Sequence, residues 1–405
     1  MNTTTQRVLT HHVGGQPWHL RLLLKLLSRI RVGRLKLVAP DGSVFHFVGA
    51  TPGPDGTIYI RHMDAVRRTL WGGDLGLAEA YMDGQWQTPD LIAFLELGLL
   101  NLKAFRVDKP GLRKRMLDAM VHAMRRNTRK GARRNIHYHY DLGNAFYKLW
   151  LDETLTYSSA IFESPEQSLV QAQHHKYDCL LGKLELGAEH HLLEIGSGWG
   201  GFAIYAAQET GCRVTSVTLS EQQLQEARTR AAAAGLSDRV EFKLMDYRDV
   251  VGKYDRIVSV EMFEAVGERY WPDYFKALHD LLKPGGRAAL QVITISDAGF
   301  DDYRKAVDFI QRYIFPGGML PSPTIWEACV ARAGLKTESR DFHGQDYART
   351  LRIWDQRVHA VERDIRQQGF DERFLRMWHY YLAYCHAGFV SGHVDLMQTS
   401  LVRET

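Results

Sequence analysis

Two hydrophobic rhythms divide this chain. In the first hundred residues the apolar positions alternate over short runs. Arg34-Leu-Lys-Leu-Val38 and Ser43-Val-Phe-His-Phe-Val48 flank Ala39-Pro-Asp-Gly42, which predicts a hairpin. Thr57-Ile-Tyr-Ile-Arg61 reads as a further strand. From Asp64 the pattern turns helical and runs through Trp71-Gly-Gly-Asp-Leu-Gly76, a glycine-dense corner that implies close packing. From about Asn135 strands and apolar-periodic helices alternate, as in a doubly wound parallel sheet. The predicted strands are His191–Ile195, Arg213–Thr218, Val240–Met245, Tyr254–Val260 and Arg287–Thr294, with helices over Glu221–Ala234 and Tyr270–Leu282. Lys283-Pro-Gly-Gly286 reads as a sharp stop before the fifth strand. An aromatic-rich excursion, Phe309 to Pro321, follows, and a helical tail is expected from Tyr347 to about Leu401. Three segments result, 1–105, 106–135 and 136–405.

Composition narrows the class. At 405 residues, 45% hydrophobic and 24% charged, the chain has an ordinary globular profile, which excludes disordered, collagen-like and disulfide-scaffold classes. Cys179, Cys212, Cys329 and Cys385 lie far apart without C-x-x-C spacing, so neither a structural metal site nor a disulfide framework is expected. The N-terminus lacks signal-peptide character. The most apolar run, Leu91 to Phe105, is broken by Glu96 and Lys103, so no span is expected. Charge is distributed unevenly. Asn101 to Arg134 carries twelve Lys/Arg against Asp108 and Asp118, a local +10 in a chain whose net charge is +4. Trp18 to Val38 mixes six cations with leucines and has no acid. A solvated helix face explains one such segment; two lean toward an anionic surface, with Trp and Leu dipping in and cations facing phosphates.

The chemistry concentrates at Leu192-Leu-Glu-Ile-Gly-Ser-Gly-Trp-Gly-Gly-Phe202, a strand, a glycine turn and a helix start in succession. Gly196, Gly198 and Gly200 let the backbone approach a ligand, and the helix N-terminus presents free N–H groups. Alone this turn is weak evidence, since dehydrogenases share it. Glu194 inside the strand departs from the NAD spacing. The second strand ends in a segment bearing Thr218, Ser220 and Gln223, suited to ribose hydroxyls. The third ends in Asp246-Tyr247, suited to an adenine amine beside an aromatic ring. Together these ends resemble the S-adenosylmethionine (SAM)-dependent methyltransferase fold. The fold class expected is thus α/β, a doubly wound Rossmann-like class I methyltransferase sheet with a small mixed α+β N-terminal domain.

Further motifs narrow the family. His137-Tyr-His-Tyr-Asp-Leu-Gly-Asn144, Phe146-Tyr147, Leu151-Asp152 and Leu155-Thr-Tyr-Ser-Ser-Ala-Ile-Phe162 precede the glycine turn. Met262-Phe-Glu-Ala-Val-Gly267, Phe315-Pro-Gly-Gly318 and Asp346-Tyr347 follow it. In order and spacing the set resembles the cyclopropane-fatty-acyl-phospholipid synthases. A sister group, the mycolic-acid cyclopropane synthases, shares the catalytic half but usually lacks the N-terminal domain.

The resemblance implies a lipid- or membrane-associated domain at 1–105, a basic helical linker at 106–135 and a SAM-dependent catalytic domain at 136–405. Within the last it implies an acyl-binding lobe at about 296–346. The implied reaction transfers the sulfonium methyl to a cis double bond of an unsaturated phospholipid acyl chain, and loss of a proton from the resulting carbocation closes a cyclopropane. SAM contacts are implied at Tyr157, Ser158, Glu194, Gly196, Gly198, Gly200, Thr218, Ser220, Gln223, Asp246 and Tyr247. The implied general base is bicarbonate, held by Glu264, Tyr347 and the backbone of Ile293, with Ser159 and Gln291 standing where many members have cysteine and histidine. Aromatic faces such as Tyr140, Tyr247 and Phe263 suit a developing cation. If the proton leaves another carbon, the product is a methyl-branched or methylene lipid. The resemblance also implies a cytoplasmic enzyme peripherally associated with the inner face of the membrane, with a homodimer left open.

Blander readings stand beside these. A carboxylate at a strand–helix junction, as Glu264 is, commonly serves as a helix cap. His137 and His139 have no acidic partner and favour hydrogen bonding over metal binding. His174-His175 and His190-His191 read as surface residues. A small-metabolite methyltransferase would replace the apolar channel with a closed polar pocket. A nucleic-acid enzyme of the amine-methylating kind would carry Asn/Asp-Pro-Pro-aromatic where this chain has Val260-Glu-Met-Phe263, so no nucleic-acid partner is expected.

Overall fold

The structure, a computed structural model, describes residues 16–105 and 142–405. Most of the +10 segment, with His137, His139 and Tyr140, lies outside the described residues. The chain forms two compact units, one comprising the described residues up to 105 with Val358–Ser391, the other those from 142 to Arg357 with Gly392–Thr405.

In the first unit, strands β1 (Val32–Val38), β2 (Val44–Val48), β3 (Thr51–Ile60) and β4 (Trp86–Gln87) form a sheet in the order β2-β1-β3-β4. The expected hairpin is there: β1 and β2 pair antiparallel with Val38 opposite Val44, and Gly42 takes the left-handed conformation the turn needs (φ 83°). The strands bury alternate residues, Leu35 and Leu37 on β1 and Phe45 and Phe47 on β2. The glycine corner kinks the helix Asp64–Met82 at Gly73, and Gly76 sits so close to the preceding turn that a Cβ would lie 1.9 Å from the Arg68 carbonyl oxygen. The helix Glu372–Val390 packs on this helix and on Leu91–Leu100. Asp83 accepts from Arg68 (2.6 Å) and Arg373 (2.9 Å).

The second unit is built on a seven-stranded sheet. It comprises β5 (His191–Ile195), β6 (Arg213–Thr218), β7 (Val240–Leu244), β8 (Tyr254–Val260), β9 (Leu282–Ile295), β10 (Leu335–Phe342) and β11 (Val394–Arg403), in the order β10-β11-β9-β8-β5-β6-β7. The first five are parallel, and β11 runs antiparallel between β9 and β10. The expected doubly wound class is therefore the one observed. Apolar layers form on the sheet, one centred on Trp271, Phe275, Leu290 and Trp326, the other on Leu192, Phe202, Val214 and Ala227.

Two expectations need correction. The helical tail does not continue to Leu401: helix ends at Val390, and 394–403 form β11, whose hydrogen bonds to β9 and β10 outweigh local propensity. Lys283-Pro-Gly-Gly286 does not end before the fifth strand but lies within β9, where the pairing with β8 shifts register between Tyr254 and Arg256. Among the described residues no helix is long and apolar enough to cross a membrane.

Candidate active site

Parallel pairing brings the carboxyl ends of β5, β6, β8 and β9 side by side, where open α/β sheets bind ligands. Glu194 on β5 lies opposite Ser216 on β6 and Val258 on β8; Val260 on β8 lies opposite Gln291 on β9.

The glycine turn forms as anticipated. Gly196, Gly198 and Gly200 all have positive φ (100°, 48° and 84°), and Gly200 precedes the helix Gly201–Thr210. The amides of Gly196 and Ser197 both donate to the Val217 carbonyl (3.0 and 3.1 Å), which clips the turn to β6. The three glycines differ in their surroundings. A Cβ on Gly200 would touch Ala227 and Phe242 at 3.0 Å, whereas one on Gly198 would project into open space, the cradle a ligand would occupy. Glu194 is buried and accepts from Ser216, whose hydroxyl also contacts Ser197 at 2.6 Å; burial pushes its carboxyl up to about 8. Ser220 caps the helix Glu221–Ala233 through the Gln223 amide, and Thr218 donates to the Gln223 side chain at 3.1 Å.

Other expected contacts have competing partners. Both Asp246 oxygens accept from Arg248, at 2.8 Å from Nε and 2.6 Å from a terminal nitrogen, so this carboxylate is already paired. Tyr247 sits edge-on to Tyr274 with the Arg248 guanidinium 5.6 Å above its ring. Phe263 is a core ring, almost wholly buried among Trp271, Phe275 and Trp326, and not a face turned to a substrate cation. Tyr157 lies among Tyr147, Trp150 and Trp354 at 5.2–5.7 Å. Ser158 accepts from Lys176 (2.8 Å), and its carbonyl accepts from Gln173 (2.9 Å). Lys176 is fully buried, and desolvation lowers its ammonium to about 7 against the pull of Glu261 and Asp152.

The second half of the site is a pair of carboxyl groups past β8. Glu264 accepts from the Ile293 amide at 2.5 Å through Oε1, while its Oε2 is sealed from solvent and has no hydrogen-bond partner. Burial, then the Glu261 charge, push Glu264 up to about 8 against that amide. Its own carbonyl accepts from Met319 at 2.8 Å, which joins the 296–346 lobe to the carboxyl pair. That lobe carries one turn of π-helix, Ile310–Ile314, with Phe300, Phe309, Ile314 and Met319 buried around it.

Sequence reasoning missed Glu261. It stands immediately after β8 at φ 47°, one of three non-glycine residues with positive φ among the described residues. Its Oε1 accepts from the Ser159 amide (2.8 Å) and from Gln291 Nε2 (2.7 Å), and its Oε2 from the Tyr347 hydroxyl (2.6 Å). Tyr347 therefore reaches Glu261, not Glu264 as expected. Gln291 also donates to the Ser159 carbonyl (3.2 Å) and accepts from Gln398 (2.9 Å); the Ser159 hydroxyl is turned to the Ala160 carbonyl (2.8 Å). The fit to SAM is good, with an open glycine cradle beside a buried acid. The fit to bicarbonate is not: the Ser159 amide, Gln291 and Tyr347 are directed at a protein carboxylate, and the Ile293 amide is taken by Glu264.

Comparison with known proteins identifies the family. The family model described as mycolic acid cyclopropane synthetase matches residues 127–399. The chain is 41% identical over 387 residues to tuberculostearic acid methyltransferase UfaA1 of Mycobacterium tuberculosis, covering 91% of this chain and 88% of that one. It is 35% identical over 358 residues to the cyclopropane-fatty-acyl-phospholipid synthase of Escherichia coli K12, covering 85% and 87% respectively. The mycolic acid cyclopropane synthase CmaA1, solved with SAH and CTAB, superposes with a TM-score of 0.63 at 30% identity, covering 67% of this chain and 98% of that one. The cyclopropane synthase MmaA2 of M. tuberculosis gives the same score and coverage. Sheet order, glycine cradle and a match spanning well over half its length agree: the chain belongs to the mycolic acid cyclopropane synthetase family of SAM-dependent enzymes.

Proposed function

We propose that this enzyme transfers one carbon from SAM to the cis double bond of an unsaturated acyl chain carried by a phospholipid. The observation that carries the reading is the carboxyl pair Glu261 and Glu264, set past β8 beside the glycine cradle and joined through Met319 to an apolar lobe. When bound, SAM supplies an electrophilic methyl on a cationic sulfur. Gly198 leaves open space for it, Gly196 and Gly200 let the turn pack closely on Met262, Ala227 and Phe242, and Glu194 presents a buried acid at the end of β5.

The chain's own groups then serve a lipid carbocation. The buried lobe residues and the aromatic rings packed around the half-buried Tyr157 keep out water, which would quench such a cation. The carboxyl pair supplies negative charge for it and an acceptor for its proton. Ring closure to a cyclopropane is the first reading, after the Escherichia coli relative. A methylene- or methyl-branched chain is the second. It is favoured by Gln291 standing where many family members have histidine, by Glu261 occupying the place expected of the ion, and by the 41% relative being named a methyltransferase. In either case the substrate sits in a membrane. The helix Trp18–Leu27 supports docking on an anionic surface, since it exposes Trp18, Arg21, Leu22 and Lys25 on one face while burying Leu20 and Leu24.

The purified protein, incubated with SAM and vesicles of cis-unsaturated phospholipid, should add one CH2 to the acyl chains. Proton NMR of the lipid distinguishes a cyclopropane from an exomethylene or methyl group. Lipids recovered unchanged while SAM is bound would overturn the reading.

A further inference from the structure

Bicarbonate and a side-chain carboxylate present the same planar, anionic O–C–O group to hydrogen-bond donors. In this chain three of the residues expected to hold the ion instead hold Glu261, and the Ile293 amide holds Glu264. The Ser159 amide and Gln291 Nε2 converge on Oε1, and the Tyr347 hydroxyl lies on Oε2. A carboxylate offers roughly four lone-pair sites, so three donors leave acceptor capacity for a proton. We propose that Glu261 is this enzyme's resident general base and takes the seat of an exogenous bicarbonate ion. The inference rests on the lipid-modifying reading and names the group that removes the proton.

Three features converge on it. Glu261 holds a left-handed backbone conformation, φ 47°, that costs a non-glycine residue about 1 kcal/mol or more and persists where the surroundings over-determine it. Its amide donates to the Gln291 carbonyl at 2.8 Å, so the end of the β8–β9 ladder fixes where the side chain starts. The groups that face it divide the labour. Burial raises both carboxyl groups, but the three donors and Lys176 pull Glu261 back down, while the Glu261 charge pushes Glu264 further up against the Ile293 amide. Two close carboxyl groups that cannot both ionise leave one anion, and the donors select Glu261 for it.

The step balances without a further reactant. A C–H bond of the transferred carbon breaks, and its electron pair stays in the lipid. That pair closes the third side of the ring or, after a hydride shift within the chain, forms an exocyclic double bond. The proton passes to a Glu261 oxygen, the cation is discharged, and the carboxylic acid loses its proton to solvent when product leaves.

The test compares wild type with Glu261→Gln and Glu261→Gly in buffer stripped of carbon dioxide. Glycine suits the left-handed backbone and opens the seat without threatening the fold. Wild-type turnover on cis-unsaturated phospholipid vesicles should change less than about twofold when bicarbonate is removed or added. Glu261→Gln should lose about 100- to 1000-fold in turnover while binding SAM normally. Glu261→Gly should be equally inactive but recover with added bicarbonate or formate. A second readout needs no turnover: [13C]bicarbonate should show NMR line broadening with Glu261→Gly and none with wild type. Wild-type dependence on bicarbonate, broadening by wild type, or near-native turnover of Glu261→Gln would each overturn the proposal. If wild type makes no modified lipid, the functional reading fails, and the bicarbonate-binding comparison still judges the seat.

Discussion

At the scale of single residues, Glu264 and Gly198 carry distinct expectations. Glu264 has one oxygen on the Ile293 amide and the other buried without a partner, so the folded enzyme prefers it protonated. Its carboxyl stands near 8 in the fold against 4.5 for an ordinary glutamate. Between those values the folded state binds more protons than the unfolded one. Stability from this group is therefore fully present below about 4.5 and falls as pH rises toward about 8. Glu264→Gln keeps the shape and cannot ionise. Its urea midpoint should match wild type near pH 4.5 and exceed it near pH 8.5, by a stability difference on the order of 2–4 kcal/mol. The same variant should retain SAM binding, because the cradle lies on β5. A constant difference across pH would show that Glu264 is not the titrating group. For Gly198 the argument is steric. Valine there must adopt φ 48° and push its side chain into the open cradle. Calorimetry should find SAM binding abolished in a variant that still unfolds cooperatively.

At the scale of elements, the local signals that were read correctly and the one that was missed have a common cause. Strands β5, β6 and β8 are visible in sequence because they are short apolar runs ended by glycine, serine or acid at the chemistry-bearing end. β11 is not. Val-Asp-Leu-Met-Gln-Thr-Ser-Leu-Val-Arg has neither period two nor a continuous apolar run, yet its residues 396–401 are buried. A strand inserted between β9 and β10 packs on both faces, and its buried Gln398 donates to Gln291. Glu261 was hidden for a related reason. Sequence places an acid after the fourth strand, but only the pairing of β8 with β9 brings it to Ser159, Gln291 and Tyr347. Two element-level outcomes follow. Removing residues 392–405 deletes β11 and leaves β9 and β10 without their shared partner, so the shortened chain should fail to yield soluble, SAM-binding protein. By contrast, Ser168 and Gln171 form a capping box on the helix Leu169–Leu184, and Ser168→Ala should lower stability by about 1 kcal/mol in urea unfolding while leaving turnover intact.

At the scale of the whole molecule, the proposed function requires the enzyme to meet an acyl chain held in a bilayer. Among the described residues, the first unit exposes the side chains that such an encounter would use. Trp18 is 56% and Trp71 75% exposed, with their rings 6.4 Å apart, and Arg21, Leu22 and Lys25 are exposed along the same helix as Trp18. Indole rings favour the interface between headgroup and acyl chain, and each Lys or Arg near an anionic surface contributes about 1 kcal/mol, screened within a Debye length. The two contributions separate experimentally. Co-sedimentation with anionic vesicles should fall as salt rises, and Arg21→Glu with Lys25→Glu should weaken binding most at low salt. Trp18→Ala with Trp71→Ala should weaken it at every salt concentration and reduce the blue shift of tryptophan emission on vesicle addition. Both double variants should act normally on a short-chain unsaturated phospholipid below its micelle concentration, since the carboxyl pair and the glycine cradle are untouched. Equal binding of all three proteins to neutral and anionic vesicles would place the docking surface elsewhere on the chain.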